Sequence, residues 1–164
     1  MLYPQQNVFR NKFDLSGIWD FKTDPEETGE KNGWANGVEA SRPMAVPGSW
    51  NEQYEDLFGY FDLAWYVKNT YMPKSWQRER VFLRVGEASY FGTVYVNGVK
   101  VGWHEGGHLP FAFEINEFLK WDEENTIAIS VENKMKVDRV PSGNMPGSEM
   151  SMFASTPKTT FDFY

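Results

Sequence analysis

No cysteine occurs among the 164 residues. A disulfide framework and a thiolate metal site are therefore excluded, although that absence does not fix the compartment. Basic residues are in deficit, with 16 Lys and Arg against 23 Asp and Glu, for a formal net charge of −7. Nucleic acids and anionic membranes both select basic surfaces, so neither is expected as a partner. No apolar run approaches the length of a membrane span. Residues 1–12 lack the apolar stretch that a signal peptide needs, and no Asn-x-Ser/Thr acceptor is present. A cytoplasmic location is the expectation. Sustained helical periodicity is missing too. A chain of this length holds one domain with a real core and has no room for two ordinary ones.

Aromatic residues are abundant, with 7 Trp, 8 Tyr and 13 Phe making up 17% of the chain. They suit strands with large cross-strand pairs, and most must be core by number alone. The stretch 79–132 is the most regular. Val81, Leu83 and Val85 alternate with Phe82 and Arg84, Val94 and Val96 with Thr93 and Tyr95, and Ile127, Ile129 and Val131 with Ala128 and Ser130. A period of two places each set on its own face of a sheet. Asn97-Gly98 lies between two such runs, and both residues tolerate the positive φ of a type I′ turn, so an antiparallel hairpin is expected there.

Other elements follow from local signals. Residues 1–13 read as a loosely packed arm. Leu15 to Lys22 reads as a strand in which Gly17 marks a bulge or close backbone approach. Residues 24–37 collect Asp, Glu, Gly and Asn and read as a solvated loop. A short strand at Met44 to Val46 ends at Pro47-Gly48. Leu63 to Met72 is a long strand stopped by Pro73. Asn116 to Lys120 is a brief helical turn, and Asp122 to Asn125 a polar turn before the Ile127 strand. Residues 135–160 show no period and read as a long loop, in which Met145, Met150, Met152 and Phe153 suggest a contact surface for a partner domain. The fold class expected is all-β, an antiparallel sandwich of jelly-roll type.

His104-Glu105-Gly106-Gly107-His108 matches the H-E-x-x-H pattern of zinc peptidases. That chemistry requires a helix, where residues four apart aim two imidazoles at one metal. Two adjacent glycines, each costing roughly 1 kcal/mol in a helix, oppose it. A strand ending at Trp103 and the following Leu109-Pro110 favour a glycine-rich corner, so no metal and no cofactor is expected.

The segment VNGVKVGWHEGGHLPFAFEI resembles the signature of the N-terminal sugar-binding domain of family 2 glycoside hydrolases, the β-glucuronidases in particular. LSGIWDF (15–21), VPGSWN (46–51) and Trp65-Tyr66 with Tyr71-Met72-Pro73 resemble, in the same order, the family's opening strand, its VPGS-aromatic-N loop and its WY strand. The resemblance implies a galactose-binding-domain-like sandwich. It also implies an accessory role beside a separate catalytic barrel of the same parent chain, shaping the glycone site and the contacts of a homo-oligomer. The substrate would be a glucuronide or related glycoside. Retaining hydrolysis needs two carboxyl groups about 5 Å apart. The family carries them in a (β/α)₈ barrel of roughly 250 residues, which this chain cannot contain, so no catalytic residue is expected here. Glu52 follows Asn51, as the family's acid follows an Asn, but it sits in the VPGSWN loop and not after a barrel strand.

Asp162 matches the family's aromatic-Asp-aromatic segment, whose carboxylate reaches the glycone and accepts hydrogen bonds from sugar hydroxyls. It is the one substrate-binding residue the resemblance assigns. In the family a further strand follows this segment. Its absence after Tyr164 would leave a sheet edge open and favour self-association. An autonomous carbohydrate-binding module remains the alternative, with Trp34, Trp50, Trp103 and Trp121 as candidate sugar platforms. A structural spacer is the third reading.

Overall fold

The computed structural model describes residues 3–134 and residue 136. Eight strands form among the described residues: β1 (Gly17–Thr23), β2 (Arg42–Val46), β3 (Leu63–Met72), β4 (Phe82–Val85), β5 (Phe91–Val96), β6 (Val99–Glu105), β7 (Phe111–Glu114) and β8 (Glu123–Glu132). The one α-helix among the described residues, α1 (Trp50–Gln53), is a single turn, and short 3₁₀ turns fill several connections. Six strands make one antiparallel sheet in the order β2-β1-β3-β8-β5-β6, and β4 pairs with β7 in a second. The all-β antiparallel sandwich expected from the sequence is the one that forms.

The alternation read from the sequence becomes the core. Trp19, Phe21, Tyr66, Ile127, Val131, Val94 and Val96 face Val81, Leu83, Phe111 and Ile115 in one buried cluster. Each large side chain withdrawn from water there contributes about 1.5–3 kcal/mol. The long strand β3 begins and ends where expected, at Leu63 and before Pro73. The 3₁₀ turn at Asn116–Phe118 matches the expected helical turn. Asn97 and Gly98 turn with φ of 50° and 80°, as a type I′ hairpin requires.

Three expectations need correction. The loop at 24–37 is exposed over most of its length, as expected, but it is also a lid. Ala35, with Trp34 and Val38 beside it, covers Trp65, Val67, Tyr95 and Ala128 on the outer face of the large sheet, so the central strands are buried on both sides. Asp24 holds this lid down. Only 2% exposed, it accepts from the backbone N–H of Thr28 (2.9 Å) and Gly29 (2.8 Å) and from Trp65 Nε1 (2.9 Å). Gly29 is required because a Cβ there would lie 2.4 Å from Trp65 Nε1. Nothing local announces this, since a buried acid that serves backbone donors looks like any other loop acid.

The second correction concerns residues 122–125. Only Asp122, at φ 63°, turns; β8 starts at Glu123, and Asn125 is fully buried within it. The third concerns Gly17, whose requirement is a φ of 114° at the start of β1 and not a bulge.

The edge of the large sheet at β2 is closed by a side chain. Gln53 accepts from Ala45 N–H (2.8 Å) and donates to Ala45 C=O (2.9 Å), reproducing the pair of bonds a neighbouring strand would make. At the other edge the chain turns from β6 into β7, crossing between sheets. Gly102 admits the Phe113 ring, which a Cβ would approach to 2.6 Å.

Candidate functional site

Strand register places one end of the sandwich. Leu63 lies opposite Glu132, Glu132 opposite Phe91, and Phe91 opposite Glu105. This row is a rim at which β3 begins, β8 ends, and the corner after β6 meets the loop before β5. Asn51 of the VPGSWN loop and the His104–His108 segment lie here, whereas Asn97-Gly98 and Tyr71-Met72-Pro73 lie at the opposite end.

Asn51 of the VPGSWN loop anchors one side. Its Nδ2 donates to the carbonyls of Leu57 (2.6 Å), Phe58 (3.3 Å) and Tyr60 (3.1 Å). Asn133, the first residue past β8, donates to Asn51 Oδ1 (3.4 Å) and to the Tyr60 carbonyl (3.3 Å). The Tyr60 hydroxyl donates to Leu63 C=O and accepts from Asp24 N–H, and burial raises its pKa well above that of an ordinary phenol. Lys134 then bridges Glu27 of the lid and Asp62, 3.0 Å away, and the two acceptors raise its pKa. The exit of the chain from β8 is thus pinned from three sides. Glu52 is exposed on α1.

The H-E-x-x-H segment is strand and turn. β6 continues through Glu105, two residues beyond the expected end at Trp103. Gly106 (φ 130°) and His108 (φ 68°) then reverse the chain. The corner is fastened by Gly106 N–H to Tyr90 C=O and by Tyr90 N–H to Glu132 C=O, both 2.8 Å. The His104 ring stacks on Phe111 at 4.7 Å, and its buried Nε2 has no hydrogen-bond partner among the described residues. His108 Nδ1 meets Glu87 at 3.0 Å on the surface. The two imidazoles therefore have separate partners, and no three His, Asp or Glu among the described residues are grouped to hold a metal ion.

The four tryptophans proposed as sugar platforms divide sharply. Trp50 is 4% exposed and belongs to the core, with its Nε1 donating to Tyr60 C=O at 3.1 Å. Trp34 lies edge-on over Trp65, with Lys22 Nζ 4.5 Å from its ring centroid, as part of the lid. Trp121 packs against the core from its margin. Trp103 alone of the four is open, at 56% exposure, stacked on Phe91 with ring centroids 5.4 Å apart and planes 16° from parallel. Asp162 and the residues of 137–160 lie outside the described residues.

Residues 50–161 match the family described as glycosyl hydrolase 2 galactose-binding domain-like. The β-glucuronidase of Paenibacillus borealis is 36% identical over 148 residues, covering 88% of this chain and 25% of the relative. That of the dog, Canis lupus familiaris, is 31% identical over 182 aligned residues, covering all of this chain and 28% of the relative. Among solved structures, the Ruminococcus gnavus β-glucuronidase superposes with a TM-score of 0.83 at 37% identity, over 87% of this chain and 24% of that one. Another structure of the same enzyme, in complex with D-glucuronic acid, gives 0.79 at 36% identity, over 82% of this chain and 24% of that one. The chain thus spans about a quarter of the length of the curated relatives it matches.

Proposed function

The chain belongs to the glycosyl hydrolase 2 galactose-binding domain-like family, and from that premise we propose that it serves as the N-terminal accessory domain of a β-glucuronidase-like retaining hydrolase. The observation that carries this reading is the pairing of two coverages: 88% of this chain aligns with only 25% of a β-glucuronidase. The remaining length of such a relative is ample for a catalytic barrel of roughly 250 residues.

In this reading the barrel supplies the acid/base and the nucleophile, and the present domain supplies the wall beside them. The rim is the surface offered to the barrel. There β8 ends at Glu132, and contacts with Asn51, Tyr60, Glu27 and Asp62 hold Asn133 and Lys134 just past it. Asp162 accepts hydrogen bonds from glycone hydroxyls, a task suited to a group with two acceptor oxygens and a full charge. It holds the sugar and takes no proton in the reaction. The same domain contributes contacts to a homo-oligomer of the parent.

The test is hydrolysis of 4-nitrophenyl β-D-glucuronide by the protein whose reading frame contains this chain. The longer protein is expected to be active and the 164-residue chain inert. Asp162→Asn in the longer protein is expected to lower kcat/KM about tenfold to a hundredfold, the worth of one or two hydrogen bonds to a charged acceptor. A longer protein that cleaves no glucuronide, or one indifferent to the substitution, would overturn the respective part of the reading.

A further inference from the structure

The outer face of the β4–β7 sheet holds two arginines whose surroundings differ. Alternation along β4 turns Leu83 and Val85 toward the core and leaves Phe82 and Arg84 on the outer face, with Arg80 just before the strand on the same side. On β7, Ala112 stands opposite Arg84 and Glu114 opposite Phe82. Arg80 grips Glu114 through two nitrogens, Nη2 to Oε2 at 2.7 Å and Nε to Oε1 at 3.2 Å. Its guanidinium carbon lies 4.9 Å from the centroid of the Phe82 ring. Arg84 has the ring without the carboxylate. Its guanidinium carbon lies 5.3 Å from the centroid of Tyr3, an arm residue that Lys12 also contacts. Its Nε is buried without a hydrogen-bond partner, and no carboxylate reaches the guanidinium among the described residues. A guanidinium partly withdrawn from water is costly unless an acid meets it, as Asp56 meets Arg42 and Glu114 meets Arg80.

The sheet itself shows what would complete Arg84. Ala112 supplies only a methyl group opposite it, where an acidic side chain could have closed a pair. A carboxylate arriving from outside can take the terminal nitrogens of the partly exposed side chain. Because the charge is shared over the whole planar group, that contact also compensates the buried Nε–H. Phe82 is half exposed and Tyr3 more than half, so apolar area adjoins the charge and favours an acid carried beside an aromatic side chain over a bare ion. Glu114 on the same face and the net charge of −7 oppose densely charged polyanions. With four residues in each strand, the face matches a few residues of peptide. We propose that Arg84 anchors a docking surface for an acidic segment of a partner protein, with a side-chain carboxylate on its guanidinium and an adjoining aromatic ring on Phe82. The surface shares no residue with the rim, so it stands or falls apart from the accessory role.

Titration of the isotopically labelled 164-residue chain with the capped tetrapeptide Gly-Glu-Phe-Gly tests it, followed through the arginine Nε–H resonances at fixed ionic strength. The Arg84 resonance is expected to shift saturably. That of Arg42, whose guanidinium is already held by Asp56, serves as the reference and should stay in place. The capped peptide Gly-Gln-Phe-Gly should bind at least about tenfold more weakly, the worth of one charge-assisted pair. Arg84→Lys keeps the charge but loses the planar fork, and it should weaken the acidic peptide several-fold, as should Phe82→Ala. Ala112→Glu places an acid opposite Arg84 within the chain, and should abolish the response in a protein that melts no lower than the parent. No saturable shift with the acidic peptide, an equal response to the two peptides, or a response that survives Ala112→Glu would overturn the proposal. So would sodium sulfate moving Arg84 as strongly as the peptide, since the site would then take any anion. An Arg84 resonance that moves with protein concentration and not with peptide would overturn it too, since the surface would then join copies of the chain.

Discussion

The two ends of the sandwich are built on opposite principles. At the hairpin end the amides of Asn97 and Asn125 close on several partners each. Asn97 donates to Phe118 C=O and to Asn125 Oδ1 (2.8 Å each) and accepts from Thr126 N–H at 3.0 Å. Asn125 also accepts from Lys120 N–H (2.7 Å) and donates to the carbonyls of Lys120 and Glu123 (2.8 and 3.1 Å). At the rim, Asn133 Oδ1 and His104 Nε2 are buried without a hydrogen-bond partner among the described residues, and Trp103 stands in water. A satisfied network rigidifies its surroundings, whereas unmet polar atoms and open aromatic area are what a partner surface uses. The difference teaches that the hairpin end closes the fold, while the proposed contact with a catalytic domain belongs to the rim.

The largest effect that would break this comparison is at Asn125. Asn125→Ala takes one of its two acceptors from Asn97 Nδ2 and leaves part-buried backbone groups of Lys120 and Glu123 without this partner, and a loss of about 3 kcal/mol is expected in urea denaturation. Asp24→Ala should come next, at about 2–3 kcal/mol, because three buried donors lose one acceptor. It should also loosen the lid, read as faster amide exchange at Gly29 and greater exposure of the Trp65 indole.

Asn51→Ala should cost less, about 1–2 kcal/mol, since the carbonyls it serves lie nearer solvent. Its signature would be faster exchange along 57–62, with the hairpin end unaffected. Smallest is the effect of the surface ion pairs. Arg42 depresses the Asp56 pKa and Arg80 that of Glu114. A carboxyl whose folded pKa is lowered contributes stability above its unfolded pKa and loses it as pH falls through the folded value. Stability should therefore slope down on acidification through the ordinary carboxylate range. Asp56→Asn should flatten that slope slightly, as befits a pair in full contact with water.

Much of the fold was legible because two signals are local. Alternation at 81–85, 93–96 and 127–131 states which side chains face inward, and Asn97-Gly98 states where the chain reverses. The lid was illegible because its meaning depends on a distant partner: Asp24 and Gly29 acquire their roles only when Trp65 arrives beneath them from β3. Asn125 was read as part of a turn for the same reason, since its partners lie on the hairpin and at Lys120. At the candidate site, the glycines of the corner at 106–107 correctly spoke for a turn against a helix. No local signal could separate Trp103 from Trp50, because exposure is a property of the assembled sheets.

The most direct test of the contrast between the two ends is amide hydrogen exchange, measured in the 164-residue chain and again in the longer parent protein proposed above. The account predicts that Tyr90, Gly106 and Asn133 gain protection in the longer protein while Asn97 and Thr126 exchange equally in both. Equal exchange at the rim in the two proteins, or added protection confined to the hairpin end, would contradict it.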